Sequence, residues 1–137
     1  MSDPKLAVEL LKLTRHCRGI DKYVSSRAEL TIDEMHCLSV LFSDHPSSVK
    51  RLSELINASS TRTSKILKDL EMRGLVSRTL DTSDRRKEIV VLTDEGANVI
   101  QNILSLYDEV GSELLSDWRS ELRSDLSWLF QTVAHTK

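Results

Sequence analysis

Residues 52–96, LSELINASSTRTSKILKDLEMRGLVSRTLDTSDRRKEIVVLTDEG, carry the reading that decides the fold. Two short helical patterns stand at the front of this stretch. The first, about Val49 to Ile56, turns Leu52, Leu55 and Ile56 to one side. Asn57 follows it, a residue that tolerates the left-handed backbone a tight turn requires. Ser59 is a good N-cap for the second helix, Ser60 to about Arg73, which buries Ile66, Leu67 and Leu70. Gly74 is placed to close that helix. Two strand signals come next. LVSRTL at 75–80 alternates apolar with polar, and EIVVLT at 88–93 is β-branched. Between them lie Arg85, Arg86 and Lys87, the densest basic cluster in the chain, at the tip of the hairpin.

The flanks are helical. Leu6, Leu10, Leu13, Cys17, Ile20 and Val24 are spaced 4, 3, 4, 3, 4, which predicts a helix over residues 5–27. Thr31-Ile-Asp-Glu34 is a capping-box pattern and opens a second helix to about Phe42. SDHPSS at 43–48 breaks it. Thr93 caps a helix from Asp94 to about Leu115, with Val99, Ile103, Leu106, Tyr107, Val110 and Leu114 apolar. A sixth helix is expected at roughly 117–134, with Trp118, Leu122, Leu126, Leu129 and Val133 on one face. The expected fold is mainly α with a small β-hairpin wing. It is a winged helix-turn-helix of six helices whose N- and C-terminal helices form a dimerisation region. The expected boundaries are 31–93 for the winged unit, and 1–30 with 94–137 for the helical region.

The bulk composition fits this plan. The 137 residues suit one domain, and 39% apolar with 29% charged residues is an ordinary globular composition. No apolar run approaches a membrane span. Lys5, Glu9 and Lys12 interrupt any signal-like core, so a cytoplasmic location is expected. The net charge of -2 conceals a segregation. Residues 50–90 hold ten Lys/Arg against six Asp/Glu, whereas residues 1–49 balance to -1 and residues 91–137 to -5. A basic middle between acidic flanks points to an anionic partner docking on the middle. Chance clustering of solvated charges is the competing explanation.

A helix-turn-helix sets the N-terminal part of its second helix in the DNA major groove. The candidate reading residues are Ser60, Thr61, Arg62, Ser64, Lys65 and Lys68. Small hydroxyls permit close approach, and Arg62 and Lys65 are long enough to reach guanine O6 and N7. The hairpin adds a second contact, in which an arginine exploits the negative potential of a narrow A·T-rich minor groove. Arg85, Arg86 and Lys87 are its candidates, with Asp84 expected to orient Arg86.

The 52–96 stretch resembles the multiple-antibiotic-resistance regulator (MarR) family. The specific part is Asp81-x-x-Asp84-x-Arg86, an apolar strand, then Leu92-Thr93-x-x-Gly96. LTIDEMHCLSVL at 30–41 is similar to the second helix of the family. The resemblance implies that Arg86 is the wing-tip residue entering the minor groove and that Asp84 pairs with it. It further implies a homodimer acting on double-stranded DNA as a transcription regulator, relieved by a small-molecule effector, a metal or an oxidant. A repressor on a pseudo-palindromic operator is expected. An effector would sit among the first two helices and the fifth.

Two other readings compete. One is a winged-helix module that docks a protein instead of DNA; the cations on the second helix and hairpin tip count against it. The other is a metal- or redox-sensing regulator using His16-Cys17 and His36-Cys37. His with Cys suits zinc or copper, and a thiolate senses oxidants. However, Cys17 continues an apolar stripe and Cys37 adjoins Met35 and Leu38, as small buried cysteines often do. The family's thiol-based peroxide sensors place their cysteine differently, with partner tyrosines, and only Tyr23 lies in that region here. No cofactor and no catalysis are expected. The chain has no glycine-rich phosphate loop, nucleophile elbow or HExxH pattern.

Overall fold

The structure is a computed structural model and describes residues 4–45, 48–84 and 86–115, together with residue 131. Among the described residues, the element order is α1 (Pro4–Ala28), α2 (Ile32–Ser43), α3 (Val49–Ile56), α4 (Ser60–Met72), β1 (Val76–Leu80), β2 (Glu88–Leu92) and α5 (Asp94–Leu115). The expected sixth helix, with Trp118, Leu122, Leu126, Leu129 and Val133, lies outside the described residues, as does Arg85. No helix among the described residues is long and apolar enough to cross a membrane.

Local chemistry explains most of the boundaries. Thr31 and Glu34 form the capping box of α2 in both directions, with Glu34 N donating to Thr31 Oγ1 at 3.1 Å and Thr31 N to Glu34 Oε1 at 3.0 Å. Ser48 and Ser59 cap α3 and α4 through bonds from Arg51 N and Arg62 N, each 3.1 Å. Asn57 takes φ 56° at the end of α3, so the chain turns at once into α4. Gly74, at φ 75°, ends α4 in a Schellman arrangement. Gly74 N donates to Glu71 O and Leu75 N to Leu70 O, both at 3.0 Å.

The core is shared by α2, α3, α4, the hairpin and α5. Leu38, Leu52, Leu67, Leu70 and Ile100 are fully buried in it. Burying each such side chain stabilises the fold by about 2 kcal/mol before ordering costs. α2 packs against α1, α3, α4, α5 and β2, so it is the centre of the assembly. The outer half of α1 is different. The stripe predicted from spacing is buried only at Val24; Leu6, Leu10 and Leu11 are exposed.

The hairpin is antiparallel, with Val76 opposite Leu92 and Leu80 opposite Glu88. Its root is tied to both neighbouring helices. Thr93 Oγ1 donates to Gly74 O at 2.6 Å and accepts from Gly96 N at 3.0 Å. Thr93 N donates to Leu75 O at 3.1 Å. One hydroxyl thus caps α5 and closes onto the end of α4. Gly96 is required here, because a Cβ on it would stand 1.9 Å from Leu75 O. The Leu92-Thr93-x-x-Gly96 pattern is therefore a junction of three elements, a reason that its spacing alone did not disclose.

Candidate nucleic-acid interface

The first turns of α4 form one half of the candidate interface. Ser60, Thr61, Lys65 and Lys68 are exposed, and Ser64 is half-buried. Thr63, one place further, is fully buried and spends its hydroxyl on Ser59 O at 2.8 Å. Ile66, Leu67 and Leu70 fix the inward face, so the helix presents the hydroxyls and lysines outward. Arg62 is exposed but not unattached: its Nη2 donates to Asp33 Oδ2 in the first turn of α2. By its length Arg62 can reach a guanine edge; the structure adds an acidic partner 29 residues earlier, which no local pattern discloses.

The hairpin tip is the other half. Asp81 N donates to Lys87 O at 2.9 Å and Lys87 N to Asp84 O at 3.0 Å, which closes the loop. Two aspartates shape it. Asp81 Oδ1 accepts from both Ser83 N and Ser83 Oγ at 2.9 Å. These bonds, the backbone one first, hold the Asp81 carboxyl below its ordinary range. Asp84 Oδ1 accepts from Arg86 N at 3.0 Å and from Arg86 Nε at 3.4 Å.

The backbone contact is the better of the two. The guanidinium contact is long, and the Arg86 side chain is 94% exposed. An exposed pair of that kind contributes at most about 1 kcal/mol. The expected Asp84–Arg86 pair is present, and Asp84 also builds the turn through the shorter bond from Arg86 N, a contact not expected from sequence. Lys87 is exposed beside it.

Below the tip, Arg78 and Glu88 form a two-pronged ion pair, Nε to Oε1 at 2.9 Å and Nη2 to Oε2 at 2.8 Å. The bond to Glu88 raises the Arg78 pKa further above its ordinary value. Sequence reasoning passed over this pair. The register makes them diagonal neighbours on one face, since Arg78 lies opposite Val90. Alternation in the two strands would have revealed it once the register was known.

A cavity of about 370 Å³ lies between α1, α2 and α5. Its lining includes Ile32, Met35, His36 and Tyr107. Tyr107 Oη donates to Asp21 Oδ1 at 2.6 Å, and burial followed by this bond pushes the phenol pKa well up. Of the histidine–cysteine pairs, His16 and His36 are exposed, Cys17 is half-buried and Cys37 is fully buried. Burial, then the Glu34 carboxylate, pushes the Cys37 thiol up to about 12, so at neutral pH it is a protonated core side chain. Among the described residues, no group of three or more His, Cys, Asp or Glu is arranged to hold a metal.

Helix, three-residue turn, helix and hairpin, with α5 locked to the hairpin root, define the class: a winged helix-turn-helix protein. Comparison with known proteins adds to this. The MarR family model matches residues 30–87 of the chain. An uncharacterized HTH-type transcriptional regulator of Bacillus subtilis, YwaE, is 27% identical over 85 residues, which is 62% of this chain and 50% of the relative. The chain thus spans about half the length of that curated relative. Among solved structures, CouR from Rhodococcus jostii RHA1 bound to p-coumaroyl-CoA has a TM-score of 0.77 at 18% identity, covering 96% of this chain and 93% of CouR. The S. aureus MepR–DNA complex has a TM-score of 0.67 at 17% identity, covering 93% of this chain and 98% of MepR. At these identities the structural likeness establishes the fold.

Proposed function

We propose that the chain is a sequence-specific, double-stranded-DNA-binding transcription regulator, acting as a homodimeric repressor on a pseudo-palindromic operator. The observation that carries this reading is the exposure of Ser60, Thr61, Lys65 and Lys68 on α4 together with Arg86 and Lys87 at the hairpin tip. The helix offers hydroxyls and cations of the kind that read a major groove, and the tip offers an exposed guanidinium suited to a narrow minor groove. Arg85 belongs to the same proposed contact by its place in the sequence. The MepR–DNA complex, similar in fold, supports DNA binding by a protein of this shape.

Dimerisation is supported by the exposed Leu6, Leu10 and Leu11 of α1, an apolar strip that a second copy can cover. Residues 1–30 and 94–137 would form that region and residues 31–93 the DNA-binding unit. The cavity between α1, α2 and α5 is the proposed seat of a small-molecule effector, and CouR, bound to p-coumaroyl-CoA, supports effector binding in this fold. A soluble cytoplasmic protein is consistent with this role.

Selection of bound duplexes from a random-sequence library tests the reading. A recurrent, roughly two-fold-symmetric sequence is expected. Affinity for it should fall by on the order of a thousandfold between about 50 and 200 mM salt, as phosphate contacts by several cations require. No enriched sequence, or affinity indifferent to salt, contradicts it.

A further inference from the structure

We infer that Asp33 is a positioning residue for DNA reading, because its ion pair with Arg62 sets the direction in which α4 presents that guanidinium. The inference rests on α4 being the DNA-reading helix. Arg62 is the third residue of α4, in the turn where base-reading side chains of such helices lie. Its side chain pairs with Asp33, in the first turn of α2.

The contact joins two rigid frames. Thr31 and Glu34 lock the start of α2 on either side of Asp33, and Ser59 locks the start of α4 through Arg62 N itself. The carboxylate engages Nη2, while a guanidinium carries five N–H donors in a fixed fork. Nε and Nη1 therefore remain for a base edge or a phosphate, with one end of the fork already anchored.

A carboxylate beside a DNA-contacting arginine has two opposed effects. It repels phosphates, which weakens binding to any duplex. It also narrows the orientations of Arg62, which favours the one sequence that matches. Asp33 is thus expected to raise sequence preference while lowering non-specific affinity. The competing explanation is a helix-start acid that merely stabilises α2; it involves no coupling to Arg62.

The test compares the selected duplex with a scrambled duplex of equal composition, for four full-length chains: wild type, Asp33→Asn, Arg62→Ala and the double variant. Asp33→Asn is expected to bind the scrambled duplex at least as tightly as wild type. It should lower the selected-to-scrambled affinity ratio by about threefold, the size an exposed ion pair can carry. In the Arg62→Ala background the same change should leave the ratio unaltered. A ratio that stays level or rises in Asp33→Asn overturns the inference, as does an equal fall in both backgrounds or a matching loss on both duplexes. A wild-type chain that prefers no duplex overturns the DNA-binding reading and this inference with it.

Discussion

The root and the tip of the hairpin are built from the same strands but held by different forces. At the root, the contacts tie three elements together: the Thr93 hydroxyl joins Gly74 O and Gly96 N, Thr93 N joins Leu75 O, and Gly96 has no room for a Cβ. At the tip, side chains fold the loop on itself through Asp81 and Asp84, while Arg86 extends into solvent. The root spends its polar groups on the fold. The tip keeps its cations for something outside it. The contrast teaches that changes at the root should appear in stability, and changes at the tip in binding.

Gly96→Ala is the most damaging change expected. It should cost at least about 3 kcal/mol, because the start of α5 must move away from Leu75. Urea denaturation measures it, and an unchanged midpoint would mean that the junction is not close-packed. Arg86→Ala should do the reverse. Its unfolding midpoint should match wild type, while affinity for the selected duplex drops about tenfold and the salt slope falls by about 1. Loss of stability there would erase the distinction between the two regions.

Arg78→Ala lies between them. Its half-buried, two-pronged pair with Glu88 should contribute about 1 kcal/mol, discounted for partial exposure. Asp84 sharpens the view of the tip. Asp84→Asn keeps an oxygen for Arg86 N and should hold affinity within about twofold, whereas Asp84→Ala loses the turn and should lower it about threefold. Equal losses in both would make the charge, not the turn, its contribution.

The smallest effect concerns acid. The bonds from Ser83 hold the Asp81 carboxyl below the ordinary aspartate range. A depressed carboxylate stabilises above its unfolded value and loses that contribution as pH falls through its folded one. The Ser83 amide signal should therefore titrate with a midpoint below the ordinary aspartate value. A midpoint at or above that value would mean that the turn is not formed in solution.

The sequence was legible wherever the cause was local. The capping box at Thr31 and Glu34, the left-handed Asn57, the Ser59 cap and the Gly74 stop all rest on a few adjacent residues, and the helix limits follow from them. The hairpin likewise followed from alternation and a polar tip. What stayed hidden depends on elements meeting in space. The Asp33–Arg62 pair, the Arg78–Glu88 pair and the close approach of Gly96 to Leu75 each need a packing or register that no single stretch contains. The α1 stripe shows the opposite failing: regular spacing foretold an apolar face correctly, but not that its outer half is left uncovered within the described residues.

The central claim is that α4 and the hairpin tip form a DNA-reading surface. Titration of a labelled selected duplex with wild type and Arg86→Ala, from about 50 to 200 mM salt, tests it most directly. The account predicts tight, strongly salt-dependent binding by wild type and a weaker, shallower dependence in a fully folded Arg86→Ala. Superimposable curves for the two proteins would contradict it.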